Sequence, residues 1–158
     1  MDKKLKLYID TSVWNFALEI ERADSILTYE FLKLTVEEKC DIFVSEIVVE
    51  EIEDAYEPRR SKLFELLSLT NTSIIYVNDE MKKLANTYVN EGLLPVKHIN
   101  DALHIAIATV SRCHLIISWN FNHIVKAKVI MGVHHVNHRE GYGLIEIVSP
   151  QLFLGKKE

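Results

Sequence analysis

The stretch Asn100-Asp101-Ala102-Leu103-His104-Ile105-Ala106-Ile107-Ala108-Thr109-Val110-Ser111-Arg112 is followed, after Cys113, by His114-Leu115-Ile116-Ile117-Ser118. In the first part, Ala102, Leu103, Ile105, Ala106, Ile107, Ala108 and Val110 leave almost no polar face. A helix over residues 101–112, capped by Asn100, must therefore be largely buried. The second part is a short apolar run too brief for a helix, which reads as a buried strand. A buried helix feeding a buried strand is the unit from which parallel sheets covered on both faces are built.

The same grammar extends outward in both directions. Leu5-Lys6-Leu7-Tyr8-Ile9 reads as a first strand, ending at a polar turn, Asp10-Thr11-Ser12, that can start a helix. Residues 24–38 carry Ile26, Leu27, Phe31 and Leu34 at helical spacing, and Asp41-Ile42-Phe43-Val44 is a second strand. Ser45 is placed to cap a helix reaching about residue 56, before Pro58. A helix over residues 59–69 and a third strand, Ser73-Ile74-Ile75-Tyr76-Val77, come next. Asn78 then caps a helix that Gly92 closes. His114–Ser118 is the fourth strand, and Leu144-Ile145-Glu146-Ile147-Val148, stopped by Pro150, is an edge strand. Strands alternating with helices predict an α/β fold around a mainly parallel sheet of about five strands.

The chain has 158 residues, 48% apolar and 26% charged, which predicts one globular domain, drawn at residues 1–152 with a tail at 153–158. No run approaches the ~18–20 apolar residues that span a bilayer, so no membrane partner is expected. Met1-Asp2-Lys3-Lys4-Leu5 lacks the apolar run of a secretory signal, and the expected compartment is the cytoplasm. Cys40 and Cys113 are read as reduced core thiols. The net charge is −5, yet residues 112–158 hold six basic against three acidic side chains and five of the seven histidines. A basic C-terminal third on an acidic body can face a polyanion or simply solvate one surface.

In open parallel sheets, sites form outside the carboxyl ends of the strands. Asp10 follows the first strand, and Asn120 and Asn122 follow the fourth; Asp101 opens the helix leading into the fourth. The helix after Ser45 carries Glu46, Glu50, Glu51, Glu53 and Asp54. At about 100° per residue, only Glu51 falls in the apolar row Ile47–Glu51–Ala55. A carboxylate there needs a partner, either a salt bridge to Arg59 or Lys62, or a cation. Taken singly, Asp10 and Asp101 could merely cap helices. Together with Glu51 they converge on one crevice. Like charges about 4 Å apart repel by roughly 4 kcal/mol at an effective dielectric near 20, so such a cluster calls for a shared proton or a hard cation such as Mg²⁺ or Mn²⁺.

Four segments in order carry a family resemblance. They are Tyr8-Ile9-Asp10-Thr11-Ser12, Val44-Ser45-Glu46-Ile47-Val48-Val49-Glu50-Glu51-Ile52, Asp101-Ala102-Leu103-His104-Ile105-Ala106-Ile107-Ala108, and Leu115-Ile116-Ile117-Ser118-Trp119-Asn120-Phe121-Asn122-His123-Ile124. The set resembles the PIN domain, closest to VapC-type toxins, over residues 5–150. The resemblance implies a Rossmann-like three-layer sandwich and a metal-dependent endoribonuclease acting on RNA. It also implies a homodimer and a small antitoxin partner. Asp10, Glu51 and Asp101 match the family's first three acids, with Glu50 the register alternative to Glu51. Asn120 stands where the family usually has a fourth acid, which favours one ion over two. Asn can lend a carbonyl oxygen but no charge. Water activated at the ion would attack phosphorus in line, leaving a 5′-phosphate and a 3′-hydroxyl. Thr11, Ser12, Asn122 and His123 are the expected substrate contacts, although the two hydroxyls could instead serve Asp10 or cap the turn.

Other signals are weaker. His134 and His138 are four apart and could hold a metal on a helix, but no further ligand supports zinc. His104 is expected as a core histidine, and Trp119 as either a packed ring or a base-stacking one. Arg59, Arg60, Lys62, Lys126, Lys128 and Arg139 are available for phosphate contacts. Two other classes remain open: an RNA- or protein-binding module without cleavage, and a phosphatase of small phosphomonoesters.

Overall fold

The computed structural model describes residues 4–155. Five strands form one sheet: β1 (Lys6–Ile9), β2 (Asp41–Ser45), β3 (Ser73–Ile75), β4 (Leu115–Ile117) and β5 (Glu146–Val148). Their order is β3-β2-β1-β4-β5, and every pairing is parallel. The order reverses between β1 and β4, so their carboxyl ends flank a crevice.

Alternate side chains of each strand serve opposite layers, as the pleat requires. Tyr8, Ile116 and Ile147 face one core, and Leu7, Ile9, Ile42, Val44 and Ile117 face the other. The first core is covered by α5 (Asp79–Asn90), α6 (Ile99–Val110) and α7 (Ala127–Arg139). The second is covered by α1 (Thr11–Leu18), α2 (Ala23–Glu37), α3 (Glu46–Glu53), α4 (Arg59–Leu69) and α8 (Pro150–Leu154). The result is the three-layer Rossmann-like sandwich. Along α6, Ala102 through Thr109 is buried without interruption apart from the half-buried Leu103, in agreement with its largely apolar sequence.

Three helix-to-strand turns share one solution. Lys39, Asn71 and Arg112 have φ of 55°, 52° and 61° after α2, α4 and α6. In each case the next N–H reaches back to a carbonyl in the last turn: Cys40 to Thr35, Thr72 to Leu67 and Cys113 to Ala108. This closure satisfies the frayed helix end and turns the chain straight into its strand.

Several boundaries differ from expectation. The helix α6 begins at Ile99, behind a 3₁₀ turn at Val96–His98, so Asn100 lies inside it rather than capping it. The helix α3 stops at Glu53, about three residues short of the expected end. The helices α7 and α8 were not legible as elements, and Phe153 and Leu154 do not belong to a free tail. Phe153 stands edge-on to Phe31, 5.2 Å between ring centres, and Leu154 packs on the same core. Residues 156–158 of that expected tail lie outside the described residues. Both cysteines are free thiols, Cys113 buried and Cys40 half-buried. Among the described residues no helix is long and apolar enough to cross a membrane.

Candidate active site

Asp10 leaves β1 at the crevice and caps α1, because its extended backbone frees the carboxylate to receive the first amides. One oxygen accepts the Ser12 N–H at 3.0 Å and the Ser12 hydroxyl at 2.5 Å. The other accepts the hydroxyl of Ser118, the residue just beyond β4. Each serine is also an acceptor: Ser12 Oγ takes the Trp119 N–H and Ser118 Oγ takes the Asn120 N–H, both at 2.9 Å. The ends of β1 and β4 are thus stitched together through one carboxylate. Burial pushes the Asp10 carboxyl up to about 6, against the pull of those donors, and the charge of Asp101 adds to the rise.

Asp101 sits in the first turn of α6, half-buried, with His98 Nδ1 3.6 Å away. The His98 ring stacks on His123, 3.6 Å between centres. Burial raises the Asp101 carboxyl, while His123, His98 and Asn120 hold it back. Asn120 Oδ1 in turn accepts the His123 N–H at 2.9 Å. Glu51 projects from α3. Burial raises its carboxyl, the Thr11 hydroxyl opposes that, and the charges of Asp101 and Asp54 add to it. The Thr11 hydroxyl oxygen is itself buried with no partner in hydrogen-bonding geometry.

Glu51 departs from expectation in one respect. Its side chain is 43% exposed and reaches His104 Nε2 at 3.9 Å, and the expected pairing with Arg59 or Lys62 does not form. Ile47 is buried in α3 while Glu51, one turn on and near the helix end, is exposed rather than core-facing. Arg59 turns to Asn15 and Glu19. His104 is a core residue but only half satisfied. Its Nδ1 lies 2.6 Å from the Tyr8 hydroxyl, which donates to Ser45 Oγ at 2.9 Å. Burial pushes the imidazole down to about 4, so it is neutral at physiological pH.

The remaining expected contacts separate clearly. Ser12 is committed to Asp10 and Trp119, and Asn122 is exposed on the segment after β4. Trp119 is a packed ring, donating to Thr28 and stacked on Phe16. Next to it Phe121 is 52% exposed. His134 bonds the Ile145 carbonyl rather than pairing with His138. Arg139 is taken by Glu91 and Glu140, and Arg60 by Glu57. Sequence reasoning missed His98, Ser118 and Phe121. Of these, only Ser118 carried a signal, as a hydroxyl ending an apolar strand at a site-forming edge. Two cavities of about 590 and 510 Å³ lie elsewhere, beside Arg112 and Tyr142 and beside Tyr29 and Leu69, and the acids line neither.

Among the described residues, no three His, Cys, Asp or Glu side chains are gathered closely enough to hold a metal ion as they stand. The donor chemistry nevertheless suits a hard divalent cation. Asp10, Glu51 and Asp101 are all raised in pKa, and Asp101 acts on both of the others. The orphaned Thr11 oxygen adds a further donor beside Glu51.

A doubly wound α/β domain with a buried carboxylate, Asp10, at its switch point is the class that the fold defines. Within it, the family model described as PIN domain matches residues 7–127, and the chain belongs to the PIN domain family, whose members are generally nucleases. Among solved structures it is similar to a chain of the crystal structure of VapBC2 from Rickettsia felis bound to a DNA fragment from their promoter. The identity is 20% and the TM-score 0.57, over 73% of this chain and 89% of that one, a likeness of fold. No curated protein matches the sequence.

Proposed function

We propose that this chain is a Mg²⁺- or Mn²⁺-dependent endoribonuclease, the toxin of a toxin–antitoxin pair. What supports the reading is that Asp101, in the first turn of α6, acts electrostatically on both Asp10, at the end of β1, and Glu51, on α3. All three carboxyls are raised, an arrangement that gains most from a bound cation. Asp10, Glu51 and Asp101 are the residues that would hold the ion, with Asn120 in support. Glu51, the most exposed, is the arm able to swing inward and close the set. When bound, the ion supplies Lewis-acid polarisation of a phosphodiester oxygen and lowers the pKa of water.

The protein's own groups do the rest. Ser12 and Ser118 fix Asp10, and His98 and His123 border Asp101 where a phosphate oxygen would lie. A raised carboxyl at the crevice is suited to take the proton of the attacking water. Thr11, Asn122 and His123 are the polar contacts offered to RNA, and the exposed Phe121 ring offers a stacking surface. The acids stand outside both cavities, which favours a polymer over a small phosphomonoester. A VapBC complex as fold neighbour supports a small antitoxin partner. Homodimerisation and a cytoplasmic setting belong to the same reading.

Purified protein is expected to cut single-stranded RNA with Mn²⁺ or Mg²⁺ and to stop in EDTA. Asp101→Asn should lower the rate by at least about 10²-fold while melting cooperatively. RNA bound but uncut with either ion would favour the binding module instead.

A further inference from the structure

The cavity of about 590 Å³ lies at the amino ends of β4 and β5, the edge of the sheet opposite the crevice. Asp101 is in the first turn of α6 and Arg112 just past its end, so at 1.5 Å per residue they stand roughly 16 Å apart. A volume of this size suits a small molecule. Its lining is rich in hydrogen-bond donors that nothing engages. Arg22, Arg59, Arg60 and Arg139 all have carboxylate partners, whereas Arg112 has none among the described residues. His114 Nδ1 accepts the Lys6 N–H at 2.9 Å, so the ring hydrogen is on Nε2, which has no partner among the described residues. The loop from α7 to β5 adds amides. The Tyr142 N–H bonds the Asn137 carbonyl at 2.8 Å, and the Glu146 N–H bonds the His114 carbonyl at 3.1 Å. Between them, the N–H groups of Gly143, Leu144 and Ile145 meet no acceptor among the described residues. Glu80, the acid on the lining, is already engaged by the Tyr142 hydroxyl at 2.7 Å. Tyr142, Gly143 and Leu144 also border a hollow of about 90 Å³ lined by His134 and His138, so much of the basic, histidine-rich C-terminal third comes to this edge.

We propose that this cavity binds a small organic anion, a carboxylate or phosphate monoester attached to a flat apolar group. The planar fork of Arg112 matches two oxygens of such a head group. The His114 Nε2–H and the loop amides answer its remaining lone pairs. Val110, Tyr142 and the 69% exposed Leu144 cover the apolar group. The site lies beyond reach of the crevice acids, needs no cation, and stands apart from the nuclease reading.

The test is a ¹H–¹⁵N nuclear magnetic resonance titration of the full chain with benzoate and with phenyl phosphate. Inorganic phosphate and benzyl alcohol serve as the bare halves. Saturable shifts are expected at the His114, Gly143 and Leu144 amides, and the tighter of the two probes identifies the head group. Each half alone should bind at least about tenfold more weakly than the better probe. Arg112→Gln keeps an L-residue at φ 61° and removes the charge, so it should weaken the better probe by about tenfold or more with the rest of the spectrum unchanged. Leu144→Ser should weaken that probe and leave inorganic phosphate unaffected. No saturable shift at these amides with either probe overturns the proposal. So does binding that Arg112→Gln leaves unchanged, or inorganic phosphate that binds as tightly as phenyl phosphate.

Discussion

Asp10 is the most constrained acid of the crevice, 3% exposed and held by two serine hydroxyls and a backbone amide. Its folded-state pKa of about 6 lies above the ordinary 3.8. The folded chain therefore holds this proton more tightly than the unfolded one. The group favours folding below about pH 4, and its contribution is lost as pH rises through about 6. A gap of that size corresponds to about 3 kcal/mol. In EDTA, the melting temperature of wild type relative to Asp10→Asn should fall as pH rises from 4 to 7; a constant difference would contradict the buried, strained carboxylate. Adding Mn²⁺ at pH 7 should reverse the deficit, since the cation binds the charged form. Asp10, Asp101 and Asn120 were legible because each occupies a strand end or helix start where the fold rule directs attention. Glu51 was singled out from its acidic neighbours by helix angle, although the angle implied burial and the short helix gives exposure. His104 could be read as core, but not as half satisfied, because its partners lie 96 and 53 positions away in Tyr8 and Glu51.

At the scale of elements, the closures at Lys39, Asn71 and Arg112 each put an L-residue in a left-handed conformation. Such a residue costs roughly 1–2 kcal/mol there, a cost that glycine avoids while losing more freedom on folding. Lys39→Gly and Arg112→Gly should each raise stability by about 0.5–1 kcal/mol in chemical denaturation; a loss would show that the side chains do more than tolerate the turn. These turns have no glycine to mark them, which is why the helix ends could be placed only approximately. The helix α7 escaped notice for a related reason. Lys126 provides no side-chain cap, and its buried residues Val129, Val133, Val136 and Asn137 include a polar one and are mostly β-branched, weak helix formers. Asn137 is buried because Tyr88 and Thr109 bond it across α5 and α6, a long-range arrangement without local trace. The helix α8 is five residues long, too short for any periodicity to show.

For the whole molecule, alternation of short apolar strands with amphipathic or wholly apolar helices was enough to predict the layered architecture. Chain order then set the sheet order, whose reversal between β1 and β4 lies beside Asp10. Sequence could not show how tightly they would meet. The acids influence one another across the crevice without forming a closed ligand set among the described residues. Under the proposed function, a bound cation would draw Glu51 inward toward two better-fixed carboxylates. Anomalous diffraction at the manganese edge, from crystals grown with Mn²⁺, tests this most directly. The prediction is a peak between β1 and β4 within bonding distance of the Asp10, Glu51 and Asp101 carboxylates, with Glu51 moved toward it. Ordered crystals in saturating Mn²⁺ showing no peak there, or a peak reached by none or only one of the three, would contradict the account.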